Sequence, residues 1–320
     1  MSREDESTEA TGTVSMRTEA TPAAHASTRA RVIRGSIVAL VSGVCFGLSG
    51  TASKCLMEAY AIDPLWLSSA RQLGACVLFM IAALMTTPDK VRACARSPRL
   101  LGAIAAYGLC GILLSQVGYL EAIDMTNAAT ATVLENSSLL FLLLYTCVSH
   151  RRLPRGLETV SVVLALAGIY LLATGGDPTG FVVPVAGIAW GVAAGLATAL
   201  ISILPARSLE AIPSFVTNAF AMLMGGVVLT AFVRPWEHAP SLDLVGWLLL
   251  AFVVVIGTFG AYALYVRAAR EAGPMRAALL AAVEPVVALV TSATWLGQVF
   301  LPTDFVGFAL IMATVFLTAR

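Results

Sequence analysis

Residues 244–264 read LVGWLLLAFVVVIGTFGAYAL, an unbroken apolar stretch without one charged side chain. A helix rising 1.5 Å per residue covers about 30 Å in some twenty residues, which is the thickness of a bilayer's hydrocarbon core. The stretch therefore predicts a transmembrane helix. Working outward from it, apolar text of similar length recurs at 35–57, 64–86, 100–120, 127–149, 157–174, 181–204, 213–233, 275–297 and 302–319. The fifth and tenth runs are the shortest. The runs are too long, and their alternation too weak, for barrel strands, so each is expected to be a helix that satisfies its own backbone groups in lipid.

Composition agrees with that reading. Of the 320 residues 58% are hydrophobic and only 12% charged, with a mean hydropathy of +0.85. A soluble domain carries about 25% charged residues, so the soluble classes are excluded. A formal net charge of +1 gives no basic field for nucleic acid. The six cysteines contain no C-x-x-C and lie mostly inside apolar runs, as small hydrophobes do.

The chain changes character near residue 34. Residues 1–34 are polar, rich in Ser, Thr, Ala and Glu, and are expected to form a disordered cytoplasmic tail. The tail lacks the short early apolar core of a signal peptide, and its acidic residues spoil a transit-peptide pattern. With the N-terminus inside, segments facing the cytoplasm hold seventeen of the 20 Lys and Arg residues and outer loops hold one, Arg234. Lys54 and Arg71 lie within runs. Cytoplasmic loops attract this excess, so an even number of crossings with both termini cytoplasmic is expected.

The two halves, 35–174 and 181–319, repeat one another. Gly111 and Tyr119-Leu-Glu-Ala122 in the third run match Gly257 and Tyr265-Val-Arg-Ala268 in the eighth at a constant offset of 146, and Phe46-Gly47-Leu48 matches Ala194-Gly195-Leu196 at 148. Five crossings is an odd number, so the second copy enters the membrane upside down. Inverted repeats support alternating access around a site near the midplane.

This 5+5 plan, with Tyr265-x-x-Ala268, then Ala277-Ala-Leu-Leu280, then Glu284-Pro285, and with Arg71 early in the second run, resembles the EamA branch of the drug/metabolite transporter superfamily. The resemblance covers residues 35–319. It implies a solute transporter whose central cavity is lined mainly by the first, third, fourth, sixth, eighth and ninth helices, and whose relatives include exporters of amino acids and other metabolites. One departure stands out. The family often carries a proline near the position of Leu139, where this chain has none and instead carries Glu135-Asn136 a turn earlier.

Four ionisable groups fall inside the runs: Lys54, Arg71, Glu135 and Glu284. At about 2.5–3.5 kcal/mol each in lipid they are expected to face the bundle interior or a wet cavity. Lys54, near the end of its helix, can snorkel. Arg71 suits a structural ion pair or a solute contact equally well. Ala277, Ala281, Glu284 and Ala288 form one helical stripe, as do Ala128, Ala131, Glu135 and Ser138. A carboxylate on a stripe of small residues has room above it for water or a ligand, and the same stripe also suits plain helix packing. The expected translocation site is Glu284, Glu135 and Asn136, with Arg71, Tyr119, Tyr265 and Trp190, and Glu284 is the residue expected to titrate. Gly187, Gly191 and Gly195 suit close packing, which leaves a homodimer open.

Other classes find little support. Gly47-Leu48-Ser49-Gly50 spells the G-x-S-G of an intramembrane serine protease, but His25, His150 and His238 all lie in the tail or loops. No phosphate-binding loop and no metal-ligating cluster is present in the sequence, so neither cofactor nor metal is expected. A membrane enzyme or lipid-handling protein would need a catalytic constellation that the residues do not supply. The expectation is a multi-pass transporter of the cell (plasma or inner) membrane, moving a small polar solute, with protons as a second partner and the bilayer as the medium.

Overall fold

The computed structural model describes residues 22–318 apart from 155, 178, 205–208, 210 and 238. The described residues form helices joined by turns and loops, with no strand among them. Among the described residues nine helices are long and apolar enough to cross a membrane: α1 (Ala30–Tyr60), α2 (Pro64–Thr86), α3 (Pro98–Met125), α4 (Ala128–Ser149), α5 (Gly156–Thr174), α6 (Val185–Ile203), α7 (Ser214–Val233), α8 (Leu244–Ala272) and α9 (Met275–Trp295). The tenth apolar run also forms a helix, α10 (Pro302–Leu317), shorter than the rest.

The first helix starts earlier than its apolar text. It runs from Pro22 to Tyr60, so residues 22–34 of the expected tail are helical, whereas residues 1–21 of that tail lie outside the described residues. Pro22 suits a first helical position, and the Ala and Arg residues after it are good helix formers. The polar extension also has a partner. Arg31 Nη2 donates to the Arg270 carbonyl at 3.2 Å and Arg34 Nε donates to Glu271 at 2.9 Å.

Local chemistry fixes several other helix starts. Pro64 and Pro98 occupy the first turns of α2 and α3, where a missing N–H costs nothing. Asp63 accepts from Leu65 N at 2.8 Å, Asn127 from Thr130 N at 2.8 Å and Asp243 from Gly246 N at 2.8 Å. These side chains satisfy amides that the first turn leaves orphaned.

The repeat is visible in the packing. α2 lies along α7, with Ser69 bonded to Thr230 at 2.8 Å and Phe79 stacked near Phe215 at 6.1 Å, so the two run antiparallel. α5 lies along α10 in the same sense: Gly168 meets Ile311, and Gly175 meets Leu301. Each of these pairs joins a helix to its own copy in the other half. Copies that run antiparallel are what an upside-down duplication requires. The α1–α8 and α3–α6 packings exchange with one another under the same relation.

Two irregularities recur at the same register. α3 widens into a π-helical stretch at Tyr107–Leu113, and α8 does so at Val253–Gly260. Both α4 and α9 are interrupted. α4 comprises Ala128–Glu135 and Ser138–Ser149, and α9 comprises Pro274–Ala281 and Glu284–Trp295. Every boundary in α9 is the α4 boundary shifted by 146, the offset read from the glycines and tyrosines.

The two breaks arise from different chemistry. In α9, Pro285 has no amide to donate and its ring crowds the carbonyl one turn back. The ladder closes over Ala282 N to Ala278 O at 3.1 Å and Val283 N to Leu280 O at 3.3 Å. α4 has no proline there. Instead the Asn136 side chain donates to Thr132 O at 3.0 Å while its own amide reaches the same carbonyl at 3.2 Å, and Ser137 N tightens onto Leu134 O at 3.0 Å. Asn and Ser compete in this way with the regular helix ladder.

Candidate functional site

The interrupted helices sit against glycines. A Cβ on Gly47 would stand 2.7 Å from the Glu284 carbonyl, and one on Gly43 would stand 2.5 Å from that of Ala281. In the other half a Cβ on Gly195 would stand 3.0 Å from the Glu135 carbonyl and would collide with Ser137 Oγ, while Gly191 abuts Leu134. Gly43 and Gly47 on α1 therefore do for the α9 break what Gly191 and Gly195 on α6 do for the α4 break. Only a residue without Cβ lets two backbones come this close.

At the breaks stand the two carboxylates. Glu135 ends the first segment of α4, and Glu284 opens the second segment of α9. Surrounding helices enclose both, yet both keep partial exposure. Glu135 Oε1 lies 3.0 Å from Ser115 Oγ on α3 and 2.8 Å from Thr198 Oγ1 on α6. The two hydroxyl oxygens lie 2.8 Å from each other.

Arg71, on α2, supplies the cation. It is 4% exposed. Its Nε donates to Thr258 Oγ1 on α8 at 3.3 Å, and its Nη1 is buried without a hydrogen-bond partner. The guanidinium interacts electrostatically with both Glu135 and Glu284, and with the phenols of Tyr119 and Tyr262. A guanidinium, two carboxyls and two phenols from α2, α3, α4, α8 and α9 thus share one interior, and four of these helices form two repeat pairs, α3 with α8 and α4 with α9.

The remaining expected residues are distributed around that centre. Tyr119 belongs to it: its hydroxyl lies 3.0 Å from Thr132 Oγ1 and fills the space over Gly50. Tyr265, its repeat partner, packs instead with Ala39, Ala268 and Ala277 where α1, α8 and α9 meet. Asn136 lines a separate crevice between α4, α5 and α10, with Leu139, Ser161 and Thr314. One residue step along a helix turns a side chain by about 100°, so Glu135 and Asn136 face different spaces. Trp190 is 38% exposed, and its backbone carbonyl meets Gly118. Lys54 is buried and donates to the Asp124 carbonyl at 2.7 Å, with Glu58 at 3.3 Å.

Sequence reasoning passed over Ser115, Thr198, Thr258 and the central placing of Tyr262. Departures from the repeat mark the first two. Ser115 and Thr198 occupy positions that hold Ala261 and Gly50 in the other half, at offsets of 146 and 148. Tyr262 likewise replaces Gln116. A polar side chain where the copy is small or different is the signal to look for.

Comparison with known proteins follows the same division. A family profile described as the EamA-like transporter family matches residues 33–174 and again 185–320. The chain is 28% identical over 286 residues to the uncharacterized inner membrane transporter YicL of Salmonella typhimurium, covering 89% of this chain and 94% of that one. It is 21% identical to an uncharacterized transporter of Clostridium kluyveri, over 83% of this chain and 86% of that protein. A solved crystal structure superposes over 90% of this chain and 96% of its own with a TM-score of 0.59 at 15% identity, which speaks for a shared fold.

Proposed function

This chain belongs to the EamA-like transporter family, and from that premise we propose that it exports a small polar metabolite, an amino acid or a relative of one, across the inner membrane by alternating access. Ten helices cross the bilayer in this reading, with both termini on the cytoplasmic side, and the export is driven by proton exchange. The observation that carries it is the pair of helix breaks at one register, which set Glu135 and Glu284 around the buried guanidinium of Arg71. Interrupted helices at mid-depth offer backbone groups and half-helix ends to a solute.

The charges suggest the class of solute. Arg71 has a buried Nη1 with no protein partner, and an unpaired donor at that depth is costly. A carboxylate is the natural group to accept from it, in the two-pronged geometry that guanidinium favours. Glu284, at the start of its half-helix, is the natural partner for an ammonium. An α-amino acid carries both groups within a few ångströms of each other.

Purified protein should gain thermal stability with zwitterionic amino acids and not with sugars or nucleotides, and Arg71→Ala and Glu284→Ala should each abolish the gain. Proteoliposomes should exchange the same labelled amino acids. Stabilisation by sugars or nucleotides alone, or no exchange of any zwitterion, would overturn the reading.

A further inference from the structure

We propose that the Ser115–Glu135–Thr198 triangle is a proton-binding site: Glu135 carries a proton in this conformation, and that proton ties the two halves of the molecule together. Counting hydrogens gives the reason. Glu135 Oε1, Ser115 Oγ and Thr198 Oγ1 form a nearly equilateral triangle with sides of 3.0, 2.8 and 2.8 Å. Each side has the length of a hydrogen bond, so three bonds need three hydrogens. The two hydroxyls own one each. The third belongs to the carboxyl group. With it, Glu135 donates to one hydroxyl, that hydroxyl donates to the other, and the other donates back to Oε1.

An ionised Glu135 does not fit this geometry. Two hydroxyls donating to one anionic oxygen approach along separate lone-pair directions and stand well apart, whereas these touch at hydrogen-bonding distance with no hydrogen left between them. Neither hydroxyl has another acceptor among the described residues. In contrast Thr132, Thr291 and Ser53 donate to carbonyls of their own helices at 2.7–2.8 Å.

The charges around the triangle agree. Arg71 on α2 and Glu284 on α9 are the ions that face Glu135, with the neutral phenols of Tyr119 on α3 and Tyr262 on α8. α1 brings its Lys54 to the Asp124 carbonyl and Glu58 instead. One guanidinium balances one carboxylate, and a second buried anion would be left uncompensated. Position decides which one stays neutral. Glu284 opens a half-helix, whose N-terminal end favours negative charge, while Glu135 closes one, whose C-terminal end opposes it.

The triangle joins α3 and α4 of the first half to α6 of the second. Loss of the proton takes away one of three bonds and leaves two oxygens facing without a hydrogen, which loosens the α3–α6 seam. The seam is thereby sensitive to protonation in one half alone, since Ala261, Ala281 and Gly50 stand at the equivalent positions. This proposal rests on the transporter reading for its role, but the proton itself is measurable without any solute.

Infrared spectra of the full-length protein in lipid nanodiscs at neutral pH test it, with thermal melting as the control for folding. The wild type and Glu284→Gln should both show the carbonyl stretch of an un-ionised carboxyl group, and Glu135→Gln should lack it. Ser115→Ala and Thr198→Val each break the ring, so the same band should move to higher frequency and titrate away at lower pH than in the wild type. Titration of the wild type alone adds a readout that needs no variant. Loss of ionised-carboxylate bands in Glu135→Gln, or a band that disappears in Glu284→Gln, would overturn the proposal. Absence of transport with every solute would count against the transporter reading and leave these spectra unchanged.

Discussion

Gly47 on α1 and Gly195 on α6 hold the same post in opposite halves: each brings its helix backbone against the carbonyl of a glutamate beside a helix break, Glu284 in one case and Glu135 in the other. Four elements therefore meet in two backbone-to-backbone contacts, and the carboxylates inherit their positions from them.

Alanine at either glycine should be costly. The added methyl would press on backbone, 2.7 Å from the Glu284 carbonyl or 3.0 Å from that of Glu135, and backbone within a packed bundle yields little. Gly47→Ala and Gly195→Ala should each destabilise by about 1–3 kcal/mol, measured as a lower melting temperature in detergent. Gly102→Ala, which would meet nothing within 4 Å, should leave melting unchanged or raise it.

Glu284→Gln keeps the shape of the site and removes its charge. On the proposed function Glu284 holds the solute's ammonium, so the variant should weaken binding about tenfold or more, with folding preserved. Glu58→Gln is the matched control. Glu58 lies in the last turn of α1, inside the helix rather than in a loop, and its carboxylate is half exposed beside Lys54 at 3.3 Å. Pairs of this kind contribute little, at most about 1 kcal/mol, so transport should be normal. Equal loss in both variants would remove Glu284 from the solute site.

Sidedness is open to a labelling experiment. Asp124 and Pro154 lie beyond opposite ends of α4 (Ala128–Ser149). Single cysteines placed there in a cysteine-free background should react with a membrane-impermeant reagent from opposite sides, Asp124→Cys from outside the cell. Reaction from one side would show that α4 does not cross.

Asp243 gives a pH-dependent contribution to stability. Tyr60 donates to its Oδ1 at 2.5 Å, and the Gly246 amide donates at 2.8 Å. The Tyr60 hydroxyl above all, then the amide, holds the Asp243 carboxyl below the usual aspartate range. A depressed value in the folded state means that the contribution is complete above the ordinary aspartate range and is lost as pH falls through the lowered value. Asp243→Ala should therefore melt below the wild type at pH 7, and the gap should close on strong acidification. A gap that persisted unchanged at low pH would contradict this.

Much of the fold could be read from the text. Apolar runs located the long helices, because a helix in lipid must be apolar for most of its length, but not the polar ends of α1, which starts at Pro22, and of α8, which continues to Ala272. The offset of 146 between Tyr119 and Tyr265 also marks the register of both breaks and both π-helical stretches. What stayed hidden depended on direction. Glu135 and Asn136 are neighbours in sequence, and only the packing of the helices shows that one faces Ser115 and Thr198 while the other faces a crevice against α5 and α10. Tyr265 reads like Tyr119 and yet sits among alanines near Ala39, because repeats share backbone and not side-chain surroundings. The helical stretch after Pro22 was obscured because polar residues read as solvated whether or not they are coiled.

The π-helical stretches also bear on descent. Each accommodates one residue more than a regular helix would hold, at Tyr107–Leu113 and at Val253–Gly260. Two independent insertions would have had to strike the same turn of two separate helices. A single insertion in a five-helix ancestor, followed by duplication of the gene segment, needs only one event. The ancestral unit would then have carried its widened helix before it had a partner in the same chain, and it would have had to assemble with a second, upside-down copy of itself to cover the faces that α2 and α7 now cover for each other.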